Sequence, residues 1–231
     1  MRVGADGVAG EGEGRRASRP AIFLDRDGTL VEEVPYLHDP DQVVLLPGVG
    51  ALAAAAAAGY ALVVVTNQAG VARGRYDEAA VDAVHRRLGE LLAGAGVHLD
   101  AVLHCPHHPQ GTVPGYARAC RCRKPGPGML EAAAERLDLD LPASFLVGNH
   151  PTDVGAAVAA GVTPLFVATG RAAGRPPPAG VASFADLEAA TGAVLGRPAP
   201  SPPGQREGQA RAGRDGADLA RDAGGRGRPR P

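Results

Sequence analysis

Five short apolar runs, at 21–24, 61–65, 101–103, 144–147 and 164–168, recur along the middle of the chain. They are rich in Val, Leu, Ile and Phe and are bounded by Gly or polar residues. Between them lie helix-like stretches at about 48–58, 77–94, 127–138, 152–160 and 183–190. Continuous apolar strands joined by helical crossovers predict a parallel sheet covered by helices on both faces. The second helical stretch opens on Asp77-Glu78, acidic residues suited to the positive end of a helix dipole. The expected fold class is therefore α/β, a three-layer Rossmann-like sheet.

Length and composition fit one such domain with loose ends. Of 231 residues, 45% are hydrophobic but only 3% are aromatic and none is Trp, so the core must be aliphatic and alanine-rich. Residues 1–19 lack apolar periodicity and the hydrophobic segment of a signal peptide. Residues 196–231 are Pro-, Gly- and Arg-rich with no face to bury. Both ends are expected to be disordered, which leaves 20–195 as the folded domain. A formal net charge of −1 argues against a dedicated nucleic-acid binder. The apolar stretch Val49–Val65 contains Gly50 and Gly59 and reads as helix, turn and strand, not as a membrane span. The expectation is a soluble, cytoplasmic, monomeric protein whose partner is a small molecule.

Chemistry enters at the ends of the strands. The run Ala21-Ile22-Phe23-Leu24 is followed by Asp25-Arg26-Asp27-Gly28-Thr29, which puts two carboxylates at a strand's carboxyl end, where open α/β sheets build their sites. Carboxylates this close repel unless a cation or a shared proton intervenes, which suggests a nucleophile and an acid/base around Mg²⁺. Thr66-Asn67-Gln68-Ala69-Gly70 ends the second strand with a hydroxyl and backbone N–H groups suited to phosphoryl oxygens. Arg123-Lys124-Pro125 supplies cations that would offset charge during phosphoryl transfer. Gly148-Asn149-His150-Pro151-Thr152-Asp153 closes another strand with oxygen donors able to complete a magnesium shell.

The segment 104–126 has neither helical nor strand period and is expected to be a long loop. It holds all three cysteines, Cys105, Cys120 and Cys122, beside His107 and His108. Three thiolates and one imidazole make the closed tetrahedral shell of structural Zn²⁺. Spacing does not separate His107 from His108, and His104 is also near. A zinc staple here would fix the backbone just before Arg123 and Lys124.

Asp-x-Asp, Thr, Lys and Gly-x-x-x-x-Asp, each after its own strand, resemble the four motifs of the haloacid dehalogenase superfamily, most of whose members are phosphatases. The segments Val64–Gly74, Cys105–Gly111 and Cys120–Pro125 narrow the likeness to the heptose bisphosphate phosphatase family. Histidinol-phosphate phosphatases, which share the zinc loop, are similar but less so. The resemblance runs from about Ile22 to Ala168 and implies a minimal cap. It assigns Asp25 as nucleophile, Asp27 as general acid and then base, and Thr66 and Lys124 as holders of the phosphoryl group. It implies substrate contacts from Arg26, Glu33, Val34, Pro35, Tyr36, Asn67, Gln68, Ala69 and Arg123. Its zinc ligands map to Cys105, His107, Cys120 and Cys122, and its magnesium ligands to Asp25, Asp27 and position 149.

At position 149 the chain departs from the pattern. The family's fourth station usually reads Gly-Asp, whereas Asn149 stands here, followed by His150 in place of a frequent lysine. An amide oxygen ligates magnesium without bringing charge, so affinity is expected to fall unless Asp153 shifts inward. The reading is a Mg²⁺-dependent sugar bisphosphate phosphatase. Its rivals are histidinol-phosphate hydrolysis, a catalytically silent binding protein, and an interaction protein working through its tail.

Overall fold

The computed structural model describes residues 18–196; the two ends expected to be disordered otherwise lie outside the described residues. Six strands form one sheet in the order β3-β2-β1-β4-β5-β6. They are β1 (Ala21–Leu24), β2 (Ala61–Asn67), β3 (Ala101–Cys105), β4 (Phe145–Gly148), β5 (Thr163–Val167) and β6 (Ala182–Phe184), all parallel. The strand order reverses at β1, whose neighbours are β2 and β4. Such a switch point opens a crevice beyond the carboxyl ends of the strands.

The helices are α1 (Leu52–Ala57), α2 (Glu78–Gly94), α3 (Gly128–Leu137), α4 (Pro151–Ala160) and α5 (Leu187–Leu195). Strand side chains alternate between two layers, as the pleat requires. Ile22, Leu24, Leu62, Val64 and Val147 join Leu52 of α1, Val84, Leu88 and Leu92 of α2, and Leu187 and Val194 of α5. Ala21, Phe23, Val63, Val65 and Leu146 meet Met129, Leu130 and Ala133 of α3 and Ala156 and Ala157 of α4. All four residues of β1 are 0% exposed. Covering each large side chain there stabilises the fold by about 1.5–3 kcal/mol, so the strand that carries the Asp-x-Asp segment is a rigid mount.

Helix starts follow capping chemistry. The Asp77 side chain accepts from Ala80 N–H at 2.9 Å to open α2. Asp186 does the same for α5 through Ala189 N–H at 2.8 Å. That second cap corrects the expected helix at 183–190. Residues Ala182–Phe184 instead form a sixth strand against Leu165–Val167, and the helix begins after it. A three-residue edge strand is too short to leave a period. At the other boundary, Arg19 belongs to the folded unit. It bridges Leu139, and its guanidinium pairs with Asp100. His104 and Cys105, expected in the long loop, instead complete β3.

Candidate active site

Asp25 follows β1 directly, and its N–H donates to Val147 O at 2.9 Å, so the register of β1 on β4 sets its position. Three residues on, Gly28 turns the chain at φ 78°; a Cβ there would come within 2.1 Å of Asn149 Nδ2. Backbone conformation and space both require glycine. Lys124 arrives from the long loop, 2% exposed, and its Nζ is shared among three oxygens. It lies 2.7 Å from Asp25 Oδ1, 2.6 Å from Asp153 Oδ1 and 2.7 Å from Val65 O. Asn67 braces the lysine backbone, donating to Lys124 O and accepting from Lys124 N–H, both at 3.0 Å.

Asp27 has a different environment. Arg26 Nε and Nη2 fork onto its two oxygens at 2.9 Å each, and Gln68 Nε2 donates to Oδ2 at 3.0 Å. The same Gln68 nitrogen donates to Thr66 Oγ1 at 2.9 Å, while Tyr76 O–H holds Gln68 Oε1 at 2.8 Å. Burial pushes the Asp27 carboxyl above its ordinary range against the pull of Arg26, and the Asp25 charge adds to the rise. Burial also raises Asp153, to about 6, despite Lys124. Burial alone would lower Lys124, but Asp153 and Asp25 hold its pKa above the usual value. The crevice thus keeps a cation beside Asp25 and favours a protonated carboxyl at Asp27.

A pocket of about 270 Å³ opens over these groups. Of the residues expected at the site, Asp25, Asp27, Glu33, Val34, Tyr36, Thr66, Asn67, Gln68, Ala69, Arg123, Lys124 and Asn149 line it. Two do not. Pro35 is exposed and outside the lining, because Leu37 turns inward in that segment. Arg26 is 1% exposed, and its fork is committed to Asp27, so its side chain braces the acid from outside the lining. Leu37, Tyr76 and Arg171 line the pocket without having been expected there.

The fourth station is built on the start of α4. His150 caps the helix, and Asp153 Oδ2 accepts from His150 N–H at 3.0 Å, closing a reciprocal capping box. With its other oxygen on Lys124, Asp153 is pinned and does not shift into the place of a metal ligand. Asn149 donates Nδ2 to Thr169 O at 3.3 Å, which leaves its oxygen as acceptor. Asp25, Asp27 and Asn149 therefore offer hard oxygen donors, a set that fits Mg²⁺.

Cys105 at the end of β3 converges with His107, Cys120 and Cys122 of the loop between β3 and α3. The sulfurs are 3.1–3.4 Å apart, and His107 Nδ1 lies 3.5 Å from Cys122 Sγ and 3.7 Å from Cys105 Sγ. With Zn–S bonds of about 2.3 Å, a tetrahedral shell has edges near 3.8 Å, so small adjustments would seat a zinc ion. His108 lies outside the cluster and meets Gln110 N–H and Arg73. A second group, Asp82, His85 and His104, comes together on α2 and β3, but the Arg26 guanidinium lies 3.3 Å from His85 Nε2. That cation disfavours a metal there.

Comparisons with known proteins agree with this architecture. The family model described as HAD-hydrolase-like matches residues 121–189. The D-glycero-beta-D-manno-heptose-1,7-bisphosphate 7-phosphatase of Escherichia coli K12 is 46% identical over 156 residues, which cover 67% of this chain and 82% of the relative. That of Rhodopseudomonas palustris is 43% identical over 145 residues, covering 62% and 81%. A crystal structure of the D,D-heptose 1,7-bisphosphate phosphatase of B. bronchiseptica, complexed with magnesium and phosphate, superposes with a TM-score of 0.67. It has 37% identity and covers 76% of this chain and 98% of that one. The sheet, the Asp-x-Asp crevice and these identities over most of the relatives' length lead to one conclusion: the chain belongs to the D-glycero-beta-D-manno-heptose-1,7-bisphosphate 7-phosphatase family of HAD-like hydrolases.

Proposed function

We propose that this protein is a Mg²⁺-dependent phosphomonoesterase that removes the 7-phosphate of D-glycero-D-manno-heptose 1,7-bisphosphate. The observation that carries the reading is the unequal pair of carboxylates in one pocket. Asp25 is buried and held by the Lys124 ammonium at 2.7 Å, whereas Asp27 is part-exposed and forked by Arg26, with desolvation raising its carboxyl pKa above the usual range. Unequal environments for two close carboxyls set the nucleophile and acid roles.

In the first step an Asp25 oxygen forms a bond to phosphorus as the bond from phosphorus to the sugar oxygen breaks, and Asp27 gives its proton to the departing oxygen. Water then attacks the aspartyl phosphate, Asp27 takes a proton from it, and inorganic phosphate leaves with Asp25 restored. Thr66 and Lys124 hold the equatorial oxygens through both steps. Mg²⁺ held by Asp25, the main-chain carbonyl of Asp27 and Asn149 would offset the repulsion between carboxylate and phosphoryl oxygens. Zn²⁺ held by Cys105, His107, Cys120 and Cys122 would close the loop that positions Arg123 and Lys124. Glu33, Val34, Tyr36, Asn67, Ala69 and Arg123 face the sugar side of the pocket in this assignment.

We assign the activity to residues 20–195, extended to Ser18 by the Arg19 contacts, in a cytoplasmic monomer acting on a small sugar bisphosphate. No helix among the described residues is long and apolar enough to cross a membrane. The test is phosphate release from a panel of sugar bisphosphates, sugar monophosphates and histidinol phosphate, with and without added magnesium. The heptose bisphosphate should give the highest kcat/KM, and chelation of magnesium should abolish release. A preference for histidinol phosphate, or no release from any substrate, would overturn the assignment.

A further inference from the structure

A bisphosphate that loses one phosphate keeps the other, and that second dianion needs a partner away from Asp25. Three cations line the pocket: Arg123, Lys124 and Arg171. Lys124 is already shared among Asp25, Asp153 and Val65 O, and Arg123 donates Nη1 to His107 O at 3.3 Å, against the cysteine cluster. Arg171 remains. It sits after β5 with 65% of its side chain exposed, and Glu33 grips it twice. Glu33 Oε1 lies 2.7 Å from Arg171 Nε, and Oε2 accepts from Arg171 N–H at 2.8 Å. Both Nη groups have no protein partner among the described residues.

The segment that carries Arg171 is itself tied to the catalytic centre. Thr169 Oγ1 donates to Gly28 O at 2.5 Å, and Thr169 O accepts from Asn149 Nδ2. Gly170 lets this segment lie against Gly28 and Glu33; a Cβ there would meet Glu33 Oε2 at 2.8 Å. Arg171 and the reacting carboxylate of Asp25 line the same opening.

Building on the bisphosphatase reading above, we infer that Arg171 is a specificity-determining residue, whose free guanidinium edge, oriented by Glu33, binds the phosphate that the substrate retains. An oriented guanidinium presents paired N–H groups that match phosphate oxygens.

Steady-state kinetics of Arg171→Ala and Arg171→Lys test this on heptose 1,7-bisphosphate, heptose 7-phosphate and p-nitrophenyl phosphate. Loss of a charge-assisted contact should raise KM for the bisphosphate about 10- to 100-fold in Arg171→Ala with kcat nearly unchanged. The two monoesters should keep their wild-type constants, and Arg171→Lys should recover part of the bisphosphate affinity. Equal losses on all three substrates would mean a structural role, and an unaltered bisphosphate KM would mean no role; either result overturns the inference. If the wild-type enzyme itself shows no preference for the bisphosphate over the 7-phosphate, the parent reading fails with it. If the preference stands and survives Arg171→Ala, this inference alone fails.

Discussion

The two candidate metal centres of this protein solve opposite problems with neighbouring stretches of chain. The cysteine cluster gathers three sulfurs 3.1–3.4 Å apart and a ring nitrogen, all four donors within 4.8 Å of one another. The crevice gathers carboxylates and one amide around a single shared ammonium, and it stays open over about 270 Å³. A closed shell holds its ion and fixes a backbone, whereas an open, oxygen-rich one exchanges ion and substrate. The two meet through sequence: Cys122 in the cluster lies two residues before Lys124 in the crevice. A zinc ion in the cluster would fix the backbone just before the lysine.

Breaking the crevice should have the largest effect. Asp25→Asn keeps the shape but removes the nucleophile, and phosphate release in a coupled assay should fall about 10⁴-fold or more. Breaking the cluster should cost less chemistry and more structure. Cys122→Ser should lower the zinc content found by elemental analysis and reduce kcat/KM roughly 100-fold, the scale set by misplacing a catalytic group by about 1 Å. If activity survives loss of the zinc, the link between the two centres is absent.

Lys124→Met separates the two contributions, since it leaves the cluster intact and strands Asp25 and Asp153 in a buried place. Uncompensated buried charge costs about 3–5 kcal/mol, so a denaturant titration should show a large loss at neutral pH. The sign is set by the pKa of Asp153, which is raised by burial even with Lys124 present. Protonation relieves the stranded charge, so the loss should shrink as pH falls and grow as pH rises through the native pKa. A loss independent of pH would contradict this.

Gln68→Leu sharpens the acid side of the comparison. The Gln68 hydrogen bond favours ionised Asp27, so its removal should move the alkaline limb of the kcat/KM profile to higher pH. The smallest expected change is in metal affinity. Asn149→Asp adds a charge to the oxygen shell and should tighten Mg²⁺ in a calorimetric titration by about tenfold, on the order of 1.4 kcal/mol. The same change removes the Nδ2 donor to Thr169 O and so loosens the Arg171 segment.

Legibility in the sequence followed burial and range. The five apolar strands of four to seven residues could be read because burial on both faces favours continuous apolar residues, most fully in Ala21–Leu24. β6 could not, since Ala182 and Ser183 are exposed on a three-residue edge strand. Asp25, Asp27, Thr66 and Lys124 stood out in the sequence because each sits at or just beyond the carboxyl end of a strand, or at the end of the Cys-rich loop, and the fold brings all four to one pocket. Arg26 shows what a local pattern leaves out: a charged residue between two site carboxylates suggests a substrate contact, while in the fold its fork closes onto its own neighbour. Arg171 was invisible. It lies in a Gly- and Pro-rich stretch, and its partner Glu33 is 138 residues away, a separation that no local pattern records.

The central claim is that Asp25 is transiently phosphorylated, so that phosphorus undergoes two in-line displacements. The stereochemical course at phosphorus, followed with an isotopically chiral thiophosphoryl substrate, tests this directly. Two displacements predict overall retention of configuration; inversion would mean that water attacks phosphorus without the Asp25 intermediate.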